Sequence, residues 1–417
     1  MDTSTIELGK EMSLTRRIIA YAAVLTVYFY YCYNFSMLSI FGPILRNVYG
    51  FTTTNLTFLF SVQSWGLLVG TLITGMCCNK FGKKYVLIGL GITYTSCTLL
   101  HIICPSVYAA WVIGRFVGGC ALGGVFGTSV GLIVDMFPAN WRGRLTAIAS
   151  SLFALAGVLL GWIAGAWLDK NWMVVMWSGI IPAWCGVVLV YFLVPSDLEL
   201  TQIRNKKALL ETSEKVGYRS MLKGKYLFIA LLCMIMSGMN FSGYSGFSTF
   251  VPLYLQNDLG MSAAGWSHLV AIENFGHFLG FLVFGWIGDC FGRKKDIIGM
   301  FLCAAMIPAY MILKVENIMA FMTVAFLFGF GCGYSGTWGA YYTELFPDRF
   351  RAISSGFCLN MGRLISSFAV LALGIYADSG ISLKRVMIIP TVFFLIGAIV
   401  WMVLPETLNR KKEKENM

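Results

Sequence analysis

Two side chains that can bind and release a proton lie inside a long apolar stretch of the sequence. Glu273 and His277 are spaced i, i+4 in the run from 270 to 287, so a helix places them as neighbours on one face. A charged group at the centre of a membrane helix costs ~2.5–3.5 kcal/mol, which makes both residues candidates for function. Reversible protonation is the chemistry that proton coupling requires. A hydrogen-bonded contact between helices is the alternative, and the sequence leaves both open.

Arg363 is a second candidate, because it lies in the apolar segment NMGRLISSF. It is thirteen residues past Phe350, which is ~20 Å of helix and places it near the middle of a bilayer. The planar guanidinium suits a carboxylate, so we expect Arg363 to bind an anionic substrate. Asn360 is three residues earlier on the same helical face and is expected to share that ligand. An internal ion pair with Glu273 or another acid remains the alternative.

Arg115 also lies inside an apolar segment, eight residues from its start. It is either a second contact for the anion or a group that hydrogen-bonds Asn34 and Gln63. The sequence does not choose between these two roles.

The composition indicates that these residues belong to a membrane protein. Of the 417 residues, 58% are hydrophobic and only 12% are charged, and the mean hydropathy is +0.73. A soluble domain of this size cannot bury so much apolar surface. We expect an all-α membrane protein with twelve transmembrane helices, at about 18–45, 54–76, 85–104, 107–135, 144–169, 173–194, 226–256, 264–287, 296–313, 318–346, 350–377 and 384–404.

The twelve segments fall into two halves related by a repeat. Residues 60–84 match residues 270–295 at an offset of 210, mainly through glycines and the basic turns that follow them. Asp135-Met-Phe-Pro recurs as Glu344-Leu-Phe-Pro at an offset of 209. Such repeats are typical of transporters that work by alternating access. The acid and the histidine have no counterpart in the first half, where Gln63 and Leu67 stand opposite them.

The repeat predicts three parts of the chain: a six-helix bundle at 1–195, a charged linker at 196–224 and a second six-helix bundle at 225–417. The bundles are expected to have pseudo-two-fold symmetry. Segments on the side of both termini hold 24 of the 31 Lys and Arg residues, and the opposite loops hold five. The positive-inside rule therefore places both termini in the cytoplasm. Because most of the Lys and Arg residues lie on the cytoplasmic side, the net charge of +11 reflects the membrane topology, and no nucleic-acid partner is expected.

The sequence offers no pattern of an enzyme or a metal site. The twelve Cys include no CxxC or His-spaced cluster, and most lie in apolar segments, where a thiol behaves as a small hydrophobe. No nucleophile–base pair or phosphate-binding loop is evident. We therefore expect no enzymatic activity, no metal and no cofactor other than a coupling proton.

These motifs resemble the major facilitator superfamily, and the resemblance covers nearly the whole chain. The loop motif of the family appears between helices 2 and 3 and again between helices 8 and 9. Further matches narrow the resemblance to the branch of sugar porters, organic ion transporters and metabolite–proton symporters. The matching segments are Gly75 to Lys84, Gly285 to Lys294, Gly114-Arg115, Asp135 to Arg142, Glu344 to Arg351, and Pro405-Glu406-Thr407.

The resemblance implies roles for charged residues at the cytoplasmic ends of the helices. In the family they form clusters that latch the outward-open state, and here they are Asp289, Arg293, Asp135, Arg142, Glu344 and Arg351. The aspartate of the first loop motif is replaced by Asn79 in this chain. A pair between Asp135 and Lys83 is expected to remain, so the latch of the first half is weakened rather than lost.

The resemblance also implies where a substrate binds. In the family, helices 1, 4, 7 and 10 line the central cavity, which makes Tyr244, Tyr341 and Trp338 candidate substrate contacts. Sugar porters pair a helix-4 arginine, here Arg115, with a helix-1 aspartate. Helix 1 has no acid in this chain and offers Asn34 at the corresponding place, so proton coupling would depend on the Glu273 and His277 pair.

These observations predict a transporter that works by alternating access and takes up a small organic anion by proton symport. The anion is expected to be a carboxylate, and one form of it has an aromatic body. A sugar or polyol porter is the alternative, followed by a drug exporter. A membrane receptor that binds without transporting is the alternative from another class. A monomer in the inner (plasma) membrane, with the lipid bilayer as its surroundings, is expected.

Overall fold

The computed structural model describes residues 12–137, 139–197, 224–314, 316–347 and 351–407, and this part of the chain contains helices and no strand. The helices lie within a few residues of the expected segments. They are α1 Leu14–Asn47, α2 Thr53–Phe81, α3 Lys83–Ile103, α4 Tyr108–Met136, α5 and α6 within Ala139–Leu193, α7 Lys225–Leu253, α8 Ala263–Phe291, α9 Ile297–Ile312, α10 Ile318–Cys332 continued by Trp338–Leu345, α11 Arg351–Asp378 and α12 Leu383–Val403.

The stretch Ala139–Leu193 has 55 residues and crosses the membrane twice. A single helix of that length would span ~80 Å, more than twice the hydrocarbon core. Asn171 has non-helical torsion angles (φ −159°, ψ 93°) and breaks it. The chain then turns back along α1, because Leu145 accepts a hydrogen bond from Tyr21, near the start of α1, and Gly186 also packs near that end, on Val27. The break therefore confirms the twelve expected membrane-spanning helices within the described residues.

Glycines set the closest helix crossings, and they do so in the same way in both halves. A Cβ on Gly70 of α2 would collide with the Cys120 carbonyl of α4. At the equivalent crossing of the second half, a Cβ on Gly280 of α8 would collide with the Phe330 carbonyl of α10. Small residues let helix backbones approach closely where lipid gives no hydrophobic drive for association. The repeat found in the sequence is thus a repeat of backbone packing.

The turn that joins α2 to α3 and the turn that joins α8 to α9 lie at one end of the bundle, which we call the basic face. Each turn needs a glycine, because Gly82 and Gly292 have positive φ angles of 84° and 107°. A carboxylate caps the helix start after each turn: Asp197 accepts from the backbone N–H of Lys83, and Glu406 accepts from that of Arg293.

Ion pairs flank both turns. Lys83 pairs with Asp135 at 2.5 Å, as expected from the sequence. Arg293 bridges Asp289 at 2.8 Å and Glu344 at 3.2 Å. Each cluster therefore ties helices within one half. Arg142 and Arg351, which were expected to take part, have side chains outside the described part of the chain.

The two halves meet along α2 with α11, α5 with α8, and α1 with α7. Five hydrogen bonds join the halves among the described residues, and all lie between the middle of the helices and the face opposite the basic face. Trp65 at the centre of α2 donates to the Ser367 hydroxyl at 2.8 Å, and Asn47 at the far end of α1 donates to Asn257 at 3.0 Å. The structure is therefore closed at the opposite face.

Candidate functional site

A cavity lies between the two halves, immediately below the closed face. Six helices line it: α1, α2 and α5 from the first half, and α7, α8 and α11 from the second. Its apolar walls carry aromatic rings from α1, α2 and α5, namely Phe35, Phe60 and Phe153. Helices α4 and α10 do not contribute to it, so the expectation that they do is wrong for this state. The reason is that α4 and α10 are held behind α2 and α8 by the glycine crossings.

Arg363 is not among the residues that line the cavity and lies next to them on the side of the basic face, a position that we call the mouth. It is at the middle of α11 and one helical turn below Ser366 and Ser367, which line the cavity. Its guanidinium lies 5.4 Å from the centre of the Phe241 ring on α7 and within electrostatic range of Tyr28 and Tyr31 on α1. It is partly exposed.

Among the described residues, no carboxylate lies within 4.0 Å of a nitrogen of Arg363. The expected alternative, an ion pair with Glu273, is therefore not formed here. A cation that packs on an aromatic ring and has no anionic partner can bind the carboxylate of a ligand. Asn360 lies a turn nearer the basic face and does not line the enclosed cavity.

Glu273 lines the cavity and is buried. It lies ten residues from the start of α8, so it is closer to the closed face than the middle position that the sequence indicated. Its Oε1 accepts a hydrogen bond from the Ser248 hydroxyl on α7 at 3.3 Å. The carboxyl group therefore faces both the cavity and α7, and retains further acceptor positions for a ligand.

His277 is buried one turn below Glu273, at the middle of α8. Its ring stacks on Phe281 with centroids 4.5 Å apart and lies 5.8 Å from the ring of Tyr244. It hydrogen-bonds the backbone of Cys332, while Nε2 has no hydrogen-bond partner in the described part of the chain. Tyr244 itself lines the cavity, as expected. No hydrogen bond between described atoms joins His277 to Glu273.

Arg115 is buried behind the cavity wall. Its Nη1 donates to Oε1 of Gln63 at 2.9 Å, and its guanidinium lies 5.7 Å from the centre of the Trp111 ring. Of the two partners expected, Gln63 is present and Asn34 is not. Asn34 instead joins α1 to α3 and α6, because it donates to the Gly179 carbonyl and accepts from Thr98. Asn34 is therefore a structural link in this state and does not line the cavity.

Two further candidates from α10 lie away from the cavity. Trp338 is fully buried against Trp401 of α12, with ring centroids 5.6 Å apart. Tyr341 is also buried, and its hydroxyl donates to the Pro405 carbonyl at 2.8 Å. Both therefore pack in the core of the second half, where a substrate in the cavity does not reach them.

The hydroxyl groups of the cavity were not predicted as a set from the sequence. Eight of them line it, from α1, α2, α7 and α11. Serine in an apolar helix carries little signal by itself, since its hydroxyl commonly bonds a backbone carbonyl in the preceding turn. Only the packing of the halves brings these groups together: Ser36, Ser39, Ser64, Ser245, Ser248, Thr249, Ser366 and Ser367.

Asp378 closes the cavity from above. At the end of α11, its carboxylate accepts from the backbone N–H groups of Thr53 and Thr54 at 3.1 and 2.6 Å. These are unpaired donors at the start of α2, where the helix dipole also favours a negative charge. One side chain thus joins the halves at the closed face.

Replacing Asp378 with Ala is expected to shift the protein toward opening at this face. Hydrogen bonds to a charged group contribute ~1.5–3 kcal/mol, so losing the carboxylate shifts the equilibrium by ~30-fold. Hydrogen–deuterium exchange should rise at the start of α2 and also at 254–258, near the Asn47–Asn257 contact. Glu316→Ala, at an exposed residue before α10, is the control. Faster exchange confined to the start of α2 would mean that Asp378 only caps that helix.

Comparisons with known proteins agree with this geometry. The family model described as Major Facilitator Superfamily matches residues 24–272 and 234–417. A probable 4-methylmuconolactone transporter of Cupriavidus pinatubonensis is 27% identical over 90% of this chain and 87% of its own length. The cis,cis-muconate transport protein of Acinetobacter baylyi is 25% identical over 85% of this chain and 86% of its own.

Among solved structures, the crystal structure of a D-xylose–proton symporter matches with a TM-score of 0.75 and 17% identity, over 94% of this chain and 98% of that one. Because the sequence identity is only 17%, this match shows similarity of fold alone. The family model covers both halves, and the fold has the two bundles and the interdomain cavity that alternating access requires. The chain belongs to the Major Facilitator Superfamily and is a membrane transporter rather than an enzyme.

Proposed function

We propose that this transporter carries a small organic acid and that Arg363 binds its carboxylate. The observation that carries the proposal is the position of Arg363 at the mouth of the cavity, without a carboxylate partner among the described residues. A buried or half-buried guanidinium in a membrane protein requires an anion or strong acceptors nearby. The substrate supplies that anion.

The surroundings of Arg363 suit an acid with a flat apolar body. Phe241 packs on the guanidinium, Tyr28 and Tyr31 lie within electrostatic range of it, and three phenylalanines form the walls of the cavity beyond it. Ligand sites of this kind combine apolar walls with a few polar groups that fix orientation. Two relatives are named for transport of muconate and 4-methylmuconolactone, which are compact organic acids or their lactones, and this supports the same substrate class here.

We place the basic face in the cytoplasm, since it holds most of the lysines and arginines. With that orientation, the structure is closed to the outside and the carboxylate site lies on the cytoplasmic side of the cavity. Glu273 carries the coupling proton, with His277 one turn below it as the second protonatable group. The protein works as a monomer in the inner (plasma) membrane and needs no cofactor other than the proton.

A neutral sugar or polyol is the second candidate substrate. The eight hydroxyl groups of the cavity favour it, because hydroxyls recognise hydroxyls by paired donation and acceptance. A neutral substrate leaves Arg363 without a counter-charge, which is why the organic acid is the better supported of the two.

A thermal-shift screen of the purified protein tests the proposal. A ligand that binds only the folded state raises its stability by RT ln(1 + [L]/Kd), so binding appears as a higher Tm. Carboxylates are expected to raise Tm, whereas matched sugars and amines are not.

Counterflow in vesicles then separates a transporter from a receptor, because a receptor binds the ligand but moves none. A response to sugars alone would contradict the proposal and favour the polyol porter.

A further inference from the structure

The part of the cavity between Arg363 and the closed face, which we call the distal chamber, has hydroxyl groups without partners. Ser36 of α1, Ser245 of α7 and Ser366 of α11 line it, and their hydroxyl groups make no hydrogen bond to another described residue. The Thr249 hydroxyl is buried there without a partner in the described part of the chain. Polar groups in a chamber away from bulk water need partners, so a ligand that fills it must itself be polar at this end.

Arg115 fixes the orientation of one amide in this chamber. An arginine has only donors, so the atom of Gln63 that faces Arg115 at 2.9 Å is the acceptor Oε1. The amide NH2 of Gln63 must then point the other way, toward the cavity that Gln63 lines. It donates to the Phe35 carbonyl at 3.4 Å and has a second hydrogen left. Arg115 is therefore a positioning residue that makes Gln63 a donor to the chamber.

Glu273 supplies the opposite kind of group. Its carboxyl lines the same chamber and has one oxygen bonded to Ser248, which leaves acceptor positions free. A ligand group that accepts from Gln63 and donates to Glu273 satisfies both. A hydroxyl group does this, whereas a second carboxylate would be repelled by Glu273 whenever that residue is ionised.

We propose that the substrate is a hydroxylated carboxylic acid, with its carboxylate on Arg363 and its hydroxyl in the distal chamber between Gln63 and Glu273. The inference rests on the proposed function. The nearest chamber residues of α11 are one helical turn from Arg363, ~5 Å along the axis, so a compact acid held by Arg363 places its far end in the chamber. The phenylalanine walls contact the apolar body between the two polar ends.

Two matched pairs of acids test the inference: benzoate with 4-hydroxybenzoate, and hexanoate with 6-hydroxyhexanoate. In each pair the hydroxyl adds one hydrogen bond from Gln63 and one to Glu273, so the hydroxylated acid that fits is expected to bind about fivefold more tightly or better. Affinity is measured by titration of the full-length protein in detergent or nanodiscs. Terephthalate, which replaces the hydroxyl with a second carboxylate, is expected to bind more weakly than 4-hydroxybenzoate.

Two variants identify the groups responsible. Gln63→Glu keeps an acceptor for Arg115 but removes the NH2 donor, and Arg115→Gln frees the amide of Gln63 to rotate. Both are expected to lower the affinity ratio within a pair, because only the hydrogen bond to Glu273 remains, and general destabilisation does not change this ratio. Gln256→Glu is the matched control, because Oε1 of Gln256 also accepts one hydrogen bond, from Trp266 at 3.2 Å, outside the cavity. The control is expected to keep the ratio.

The outcomes separate this inference from the proposed function. Equal affinity within both pairs, with binding that still depends on Arg363, would overturn the hydroxyl subsite and leave the organic acid proposal intact. Tighter binding of terephthalate would overturn it in favour of a second acid group. Binding of sugars in place of all the acids would overturn both.

Discussion

Replacing Arg363 with Gln is expected to abolish carboxylate binding while the protein remains folded. Truncating one partner of a desolvated charge pair commonly costs 2–5 kcal/mol, so affinity should fall by at least ~30-fold and commonly by much more. The glutamine keeps a polar side chain at a position that is partly exposed and packs against Phe241. The measurement is titration of the acid that gives the largest thermal shift, with Tm of the unliganded protein recorded in parallel.

The fold should tolerate this change, because no described carboxylate depends on Arg363 for its charge balance. Arg385→Gln is the matched control, since Arg385 is exposed at the start of α12 and far from the cavity. Arg363→Lys provides a graded test: it keeps the charge but loses the planar fork, so partial affinity is expected. Affinity retained in Arg363→Gln would show that the arginine is structural and that the anion site lies elsewhere.

The sequence predicted the helices because their signal is local. An apolar run of membrane-spanning length is readable from composition, and the 210-residue repeat follows from glycines such as Gly70 and Gly280, which the crossings require. The turn at Asn171 was also expected, from the polar residues between two apolar runs. In the part of the chain that the structure describes, all twelve expected membrane-spanning helices are present.

The lining of the cavity was harder to predict, because it depends on how the halves rotate about one another. Tyr341 and Trp338 have the residue types of a ligand site, but α10 is held behind α8 where Gly280 meets Phe330 and Gly333. The same aromatic types that bind ligands also fill cores, and nothing in the spacing separates the two uses. Asn34 failed as a candidate for the same reason, since its partners on α3 and α6 are far from it in the chain.

The most informative detail, the orientation of Gln63, needed both residue types and coordinates. The repeat places Gln63 opposite Glu273, so pseudo-symmetry puts a neutral amide and an acid on equivalent faces of the two halves. Only the structure shows that Arg115 holds the amide oxygen and leaves the donor to the cavity. An asymmetric pair within a symmetric scaffold gives the chamber a donor on one side and an acceptor on the other.

Glu273 is also where substrate binding and proton movement would be coupled. The carboxyl lines the chamber that we propose for the far end of the substrate, and Arg363 lies one helical turn from the α11 residues that line it. A proton on Glu273 lets it donate to the ligand as well as accept, and its release changes the charge of the chamber. Binding of the substrate and the state of the carboxyl group are thereby linked without direct contact between Glu273 and Arg363.

Glu273→Gln is therefore expected to retain substrate exchange and lose accumulation driven by a proton gradient. The amide still accepts from Ser248 but cannot bind or release a proton. With one proton per substrate, each unit of pH difference drives about tenfold accumulation, because one unit corresponds to 1.36 kcal/mol. Accumulation in vesicles should fall from that level to none, while counterflow at equal pH continues.

Glu316→Gln, at an exposed residue outside the cavity, is the matched control. Accumulation that persists in Glu273→Gln would transfer the proton role to another group, and the unpartnered Nε2 of His277 makes that histidine the next to replace.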